Sequence, residues 1–247
     1  IGFVTATDDI GPIVFSISGS GISIESSTGE LTFDDFPDYE TINTYSRTVY
    51  ASDADNTISQ YITVSVTDVD DEAPVFSTIP ATLYIPEEST NSDVYTDSDL
   101  TNAVSITATD VDSGISSNLI YSFGSLVFEN GFVQASDADT CFDWNHTGTF
   151  KFDGPVSQCK FDYEDENYRR FTVELIVSDG TQSTSEIVDF EIVNINDNTP
   201  EITSDAEFSA AENQTAIGTV TATDADGDLN DLTFSVSGST LAIDSST

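Results

Sequence analysis

Basic residues are nearly missing from this chain: five Lys and Arg stand against 45 Asp and Glu in 247 residues, and the formal charge is -40. A polyanion such as nucleic acid, or an anionic membrane surface, is therefore excluded as a partner, and cations are favoured. Methionine is absent, there is one Trp, and there are two cysteines. No apolar run approaches the ~18 residues of a membrane span. Ile1 is neither an initiator Met nor the start of a signal peptide, so the chain reads as a piece of something longer. The one histidine, His146, sits in a turn with nothing visible to pair with it for nucleophilic catalysis. An enzyme is not expected. Disorder is not expected either, because 38% hydrophobic residues, with sixteen Phe and nine Tyr, suffice to build cores. Self-repulsion at this charge disfavours a compact state unless counter-ions or bound metal offset it, which points to calcium, high ionic strength or both.

What the chain does have is oxygen-bearing side chains in two matching runs. Asn194-Ile195-Asn196-Asp197-Asn198-Thr199-Pro200 follows a strand-like stretch, Phe190-Glu191-Ile192-Val193. Asp68-Val69-Asp70-Asp71-Glu72-Ala73-Pro74 follows Tyr61 to Thr67 in the same way, and Pro74 lies 126 residues before Pro200. Three copies of a further pattern can be superposed: Val4-Thr5-Ala6-Thr7-Asp8, Ile106-Thr107-Ala108-Thr109-Asp110 and Val220-Thr221-Ala222-Thr223-Asp224. Each reads as a strand running into a carboxylate loop. Second strands follow at Val14–Gly19, Leu119–Gly124 and Leu232–Gly238, alternating apolar with small polar residues.

Later in each copy Asp38-Tyr39-Glu40 matches Asp162-Tyr163-Glu164, and Ala51-Ser52-Asp53 matches Val177-Ser178-Asp179. Asp53 to Asp68 and Asp179 to Asn194 are both fifteen residues. The offsets Asp8 to Asp110 and Asp110 to Asp224, 102 and 114 residues, make the repeat one small domain long, beyond any solenoid unit. Many short strands at close spacing with no helical run predict β-sandwiches. The divisions are residues 1–73, lacking a first strand, 74–199, complete, and 200–247, the start of a third. Asp110 to Thr147 spans 37 residues where Asp8 to Thr28 spans 20, so the second copy carries an insertion around 129–160, and both cysteines lie within it. Because the sandwich does not require it, that insertion is the expected site of a surface particular to this protein.

Taken together, these motifs resemble the cadherin extracellular repeat along essentially the whole chain. The Asn194–Pro200 run is similar to the family linker, with Asn194 where an aspartate is usual. Ala211-Glu212-Asn213, and less closely Pro86-Glu87-Glu88, resemble its early-strand glutamate motif, and Asp110-Val111-Asp112 and Asp224-Ala225-Asp226 its aspartate-x-aspartate loop. Asp38-Tyr39-Glu40 and Asp162-Tyr163-Glu164 fit its mid-domain acidic motif with Tyr in place of Arg. The resemblance implies an all-β fold of tandem seven-strand Greek-key sandwiches, immunoglobulin-like and of cadherin type, with calcium between successive repeats. Calcium takes six to eight hard oxygens, so ligands must converge from several loops. Carried over, a first set is Asp38, Glu40, Asp68, Asp70, Asp71, Asp110, Asp112 and Asp179. A second is Glu87, Asp162, Glu164, Asn194, Asn196, Asp197, Asn198, Asp224 and Asp226. Asp8 and Asp53 belong to a further junction with a preceding domain. Asp71-Glu72 raises the charge of the first linker and Asn194 lowers that of the second, so charge count predicts tighter calcium at the first.

Cys141 and Cys159 enclose seventeen residues. An extracellular β-domain predicts that they pair, for about 3 kcal/mol of loop-closure stabilisation, the alternative being two buried thiols. Asn145-His146-Thr147 and Asn213-Gln214-Thr215 are sequons that make Asn145 and Asn213 candidate glycan acceptors. Trp144 is either an exposed recognition residue or packed against the disulfide. Paired carboxylates also suit glycoside hydrolysis, but these recur at domain ends in every copy, as metal ligands should, whereas a catalytic pair need occur once. The expected function is a calcium-dependent adhesion or recognition ectodomain, extracellular, with homophilic or heterophilic protein partners. The alternative is a structural repeat of an extracellular fibre, matrix or appendage formed by self-assembly.

Overall fold

Alternation of buried and exposed residues governs the long strands. Phe171, Val173, Leu175 and Val177 are buried while their intervening neighbours are not, and Val188, Phe190 and Ile192 repeat the pattern on the next strand. Period-two burial of β-branched and aromatic residues is what a half-buried sheet selects. The structure, a computed structural model, describes residues 1–9, 11–87, 92–112, 118–129, 141–144, 149–152, 159, 161–227, 232–238 and 240–243. Among these no α-helix is found. The chain divides into two compact units, one of Ile1–Pro74, Thr109–Asn118 and Asp179–Gln182, the other of Val75–Ala108, Leu119–Ser178 and Ser183–Thr247.

The first unit holds β1 (Gly2–Phe3), β2 (Val14–Ile17), β3 (Ile22–Ile24), β4 (Glu30–Phe33), β5 (Thr44–Ser52) and β6 (Thr57–Ser65). They form two three-stranded antiparallel sheets, β1-β4-β3 and β2-β5-β6. Ile22, Leu31 and Val49 make the core, with Val4, Ile17, Ile24, Phe33, Tyr45, Ile62 and Val64 packed against it. Gly29 is required in the turn before β4: its φ is +74° and a Cβ there would lie 2.2 Å from the Val4 carbonyl oxygen.

The second unit holds β7 (Val75–Phe76), β8 (Thr82–Pro86), β9 (Ser92–Asp93), β10 (Ala108–Thr109), β11 (Ile120–Phe128), β12 (Phe142–Trp144), β13 (Phe150–Phe152), β14 (Arg170–Ser178), β15 (Ser183–Val193), β16 (Glu201–Ile202) and β17 (Ala222–Thr223). The main sheet has the order β11-β14-β15-β8; its β15–β8 pairing is parallel, and the other two are antiparallel. A smaller sheet, β12-β13-β9, contributes to the same core. That core is aromatic: Phe161 stacks on Phe171 at 4.7 Å and Phe171 on Phe190 at 5.0 Å. A bulge interrupts β11 between Phe123 and Leu126, at Gly124, where a Cβ would stand 2.2 Å from the Glu174 carboxylate.

Two expectations shift here. Val4–Asp8 and Leu232–Gly238 were expected as strands, yet among the described residues β1 precedes the first and no strand includes the second. The described part of the insertion is core rather than surface. Phe142, Trp144, Phe150 and Phe152 are buried, and Trp144 packs among Phe76, Tyr121, Phe123 and Phe150 while its Nε1–H donates to the Ile106 carbonyl at 3.2 Å. Cys141 and Cys159 are joined in a buried disulfide, Cα–Cα 5.8 Å.

Candidate metal centres

Strand topology delivers carboxylates to one end of the second unit. Strands β8 and β15 run parallel and finish opposite each other, Pro86 against Val193, so Glu87 and Asn194 leave the sheet together. Strand β14 runs the other way and starts with Arg170 opposite Glu191, which brings the preceding loop, with Asp162 and Glu164, to the same end. Stacked Phe161 and Phe171 fix both ends of that loop. Past Pro200, β16 pairs with β17 through Glu201 and Thr223, and this sets Asp224 and Asp226 beside the Asn194–Asn198 segment.

The result is a group in which ligand oxygens of Glu87, Glu164, Asp197 and Asp226 all lie within 4.8 Å of one another. Glu87 is 0% exposed and Asp226 2%. Both Glu87 oxygens accept backbone hydrogen bonds, Oε1 from Ile195 N–H and Oε2 from Tyr163 N–H, each at 2.7 Å. Asp226 accepts from the Asn198 N–H at 2.9 Å and the Asn198 side-chain amide at 3.0 Å, and its own N–H donates to Asp224 Oδ1. Asp162 Oδ1 accepts from Glu164 N–H at 3.0 Å, and Asn194 donates to the Asp226 carbonyl at 3.0 Å. Asn196 is exposed.

The two buried acids shift in opposite directions, because desolvation dominates at Glu87 and hydrogen bonding at Asp226. Glu87 is pushed up to about 7 by desolvation, with Glu164 and Asp197 adding repulsion, despite its two N–H donors. The hydrogen bond from the Asn198 side chain instead holds Asp226 below the usual carboxylate range.

The first unit gathers Glu40, Asp71 and Asp112 within the same 4.8 Å limit. Asp112, 3% exposed, accepts Glu72 N–H at 3.1 Å and donates its own N–H to Asp110 Oδ1 at 2.9 Å. Desolvation, then the charges of Asp112, Asp68 and Asp38, raise Glu40 above its ordinary range. Asp38 is held below its range by the Thr41 hydroxyl at 2.8 Å. Asp179 accepts from Thr181 and Gln182 N–H, and the Thr181 hydroxyl donates to Asp70 at 2.7 Å. Asp8 and Asp53 line an open concavity of about 590 Å³ in this unit, outside the Glu40 group. Backbone N–H groups of Asn56 and Asp55 hold Asp53 low.

Whether these residues suit calcium can be judged from the oxygens. Buried oxygens of Asp112, Glu164, Asp179, Asn194 and Asp224 accept no hydrogen bond, and a buried anionic oxygen without a donor is costly unless a cation faces it. The donor set is all oxygen, with no sulfur or imidazole in either group, as a hard cation requires. The residues fit. Sequence reasoning did not nominate Thr181, which fixes Asp70, or Arg169, whose guanidinium lies 4.2 Å over the Tyr163 ring and whose Nε–H donates to the Tyr163 carbonyl. Asn213 is exposed with φ of 70°, and Asn145 lies outside the described residues.

No protein-family model matches the chain. In sequence it is 31% identical to Protocadherin Fat 4 of Mus musculus over 228 residues, 89% of this chain and 4% of that protein. It is 34% identical to Protocadherin-15 of Mus musculus over 140 residues, 53% of this chain and 7% of that protein. The chain thus spans only a small part of the relatives it matches. In structure it is similar to mouse Cadherin-23 EC22-24, with a TM-score of 0.63 at 22% identity, covering 100% of this chain and 78% of that one. Mouse Protocadherin-24 EC1-3 gives 0.62 at 21% identity, over 94% and 70%. With its fold of Greek-key β-sandwiches and these relatives, the chain belongs to the cadherin family and is built of cadherin extracellular repeats.

Proposed function

We propose that this chain is part of a calcium-dependent adhesion or recognition ectodomain, extracellular and at the cell surface or secreted, in which calcium stiffens the linkers between successive repeats. Its repeats are residues 1–73, 74–199 and 200–247. The observation that carries the reading is the convergence of Glu87, Glu164, Asp197 and Asp226, four acids from four separated stretches of chain, two of them buried. Like charges so gathered repel, and burial makes the repulsion worse. A bound calcium ion supplies the positive charge that makes the gathered state favourable.

The ligand set is the one the motifs nominate: Glu87, Asp162, Glu164, Asn194, Asn196, Asp197, Asn198, Asp224 and Asp226 for the second linker, and Asp38, Glu40, Asp68, Asp70, Asp71, Asp110, Asp112 and Asp179 for the first. Asp8 and Asp53 serve a further junction. Each residue's part is to present an oxygen and hold it still. Glu87 is fixed by two amides, Asp226 by Asn198, and Asp179 by Thr181 and Gln182. Because the linker run and the loops it faces hold ligands jointly, metal ties the linker down and its loss frees it, a stiffness switch. Extracellular calcium modules bind at ~10⁻⁴–10⁻³ M, so such sites fill outside cells. Named partners are other repeats of the same chain and a protein bound homophilically or heterophilically; Asn145 and Asn213 are glycan acceptors.

Small-angle X-ray scattering of the 247-residue chain in 2 mM calcium and in chelator tests the switch; the calcium concentration is set at roughly the upper end of the extracellular range. A rigid, extended particle in calcium and a broad ensemble without it are expected. Identical profiles would remove the proposal.

A further inference from the structure

Arg169 is one of five Lys and Arg residues in the chain, yet among the described residues it pairs with no carboxylate. Among the described residues the ion pairs are Arg170–Glu191 and Lys151–Asp93. Arg169 instead lays its guanidinium over the Tyr163 ring at 4.2 Å and donates its Nε–H to the Tyr163 carbonyl. Its own carbonyl accepts the Ile192 N–H at 2.8 Å, on the strand that leads into Asn194. Tyr163 is the residue whose N–H holds Glu87 Oε2 at 2.7 Å, and its neighbours in the chain are Asp162 and Glu164. One cation therefore grips the ring and the carbonyl of the peptide that carries two acids and fastens a third.

We infer that Arg169 is a positioning residue for the Glu87–Glu164–Asp197–Asp226 group, acting through Tyr163 to hold the Asp162–Glu164 segment against Glu87 in the geometry a divalent cation takes. The inference rests on the reading of that group as a calcium site. The first unit supplies a contrast. Its matching segment is Asp38-Tyr39-Glu40, but six residues beyond Tyr39 stands Tyr45 where Tyr163 has Arg169. Arg47 lies over Tyr45 at 5.9 Å and donates to the Ser20 carbonyl, away from that segment. Among the described residues the Glu40 group has no such clamp, and its Glu40 is exposed where the matching Glu164 is half-buried.

Charge and positioning predict opposite signs. A nearby guanidinium repels calcium, so on charge alone Arg169→Gln strengthens binding. Loss of a positioning contact weakens it, by about tenfold or more for a partner one shell removed from the ligands. Calorimetry of the metal-stripped 247-residue chain titrated with calcium reads the sign. Arg169→Gln is expected to lose about tenfold at the Glu87 group and leave the Glu40 group, identified by its loss in Asp112→Asn, unchanged. Arg169→Lys keeps the charge but not the planar fork, so it should fall with Gln. Tyr163→Phe should bind as the parent does, whereas Tyr163→Leu should not. Unchanged or tighter calcium binding by Arg169→Gln overturns the inference while leaving the site itself intact. If the parent chain takes up no calcium, the calcium reading fails, and hydrogen exchange of the Tyr163 and Ile195 amides in the metal-free protein still decides the clamp. Faster exchange in Arg169→Gln supports it, and equal exchange overturns it.

Discussion

Replacing Glu87 by Gln separates the structural part of the acid from its charge. The side chain is 0% exposed and both oxygens are held at 2.7 Å by backbone N–H groups of Tyr163 and Ile195. Gln keeps the volume and one accepting oxygen but turns an amide NH2 toward the other donor, so one charge-assisted hydrogen bond is lost, about 1.5–3 kcal/mol. It also removes one of four mutually close negative charges, which relieves repulsion in the metal-free state and partly offsets that loss. Without metal, the net change in melting temperature should therefore be small. With calcium the two effects no longer offset. The site loses an anionic ligand, and because partners one shell further out are already worth tenfold to a hundredfold, the affinity should fall at least about a hundredfold, or about 2.8 kcal/mol. Calorimetric titration of the parent chain and the variant, beside melting curves in chelator, measures both numbers. Equal calcium affinity in the two proteins would refute the assignment of Glu87 as a ligand; a large loss of metal-free stability would refute the balance argued here.

Glu87 also sets a pH dependence. Its folded-state pKa, about 7, lies above the ordinary 4.5, so in metal-free protein its contribution to stability is full below about 4.5 and is lost as pH rises through about 7. Calcium requires the ionised form, so affinity should do the opposite, rising up to about tenfold per pH unit below 7 and levelling above it; titrations between pH 5.5 and 8.5 check the slope. Opening the Cys141–Cys159 bridge with a Cys141→Ala, Cys159→Ala pair should cost about 3 kcal/mol by denaturant unfolding. Phe171→Ala, at the middle of the Phe161–Phe171–Phe190 stack, should cost about 3–5 kcal/mol, and because that stack anchors the acidic loop it should also weaken calcium binding at the Glu87 group. Linker charge predicts that the first group holds calcium more tightly than the second, and a two-site fit to one isotherm that gives equal affinities would contradict it.

The all-β class was legible because alternation of apolar and polar residues, repeated at domain-length spacing, leaves no other economical use for the chain. The acids the structure gathers, Glu40, Asp71 and Asp112, then Glu87, Glu164, Asp197 and Asp226, are all ones the recurring motifs nominate. Such acids can be read because the short motifs that carry them recur in successive copies at matching spacing. Arg169 was not legible, because its work depends on a ring six residues away and on a backbone carbonyl, neither of which leaves a spacing signal. Thr181 escaped for the same reason, since its partner Asp70 is 111 residues distant. The insertion is expected as surface because it exceeds what the sandwich needs; in its described part Phe142, Trp144, Phe150 and Phe152 extend the core, and only packing against Phe123, Phe190 and Phe161 reveals it. Strand ends such as Val4–Asp8 were misplaced because an acidic loop begins while the apolar alternation is still running.

Isothermal calorimetry of the metal-stripped chain with calcium, and with magnesium as the control, tests the central claim most directly. Magnesium demands a near-ideal octahedron and sheds water reluctantly, whereas calcium tolerates the irregular oxygen sets gathered here. Uptake of several calcium ions per chain, selective over magnesium and abolished at one group by Glu87→Gln and at the other by Asp112→Asn, is the predicted result. Absence of calcium-specific heat, or heat that both variants leave untouched, would contradict it.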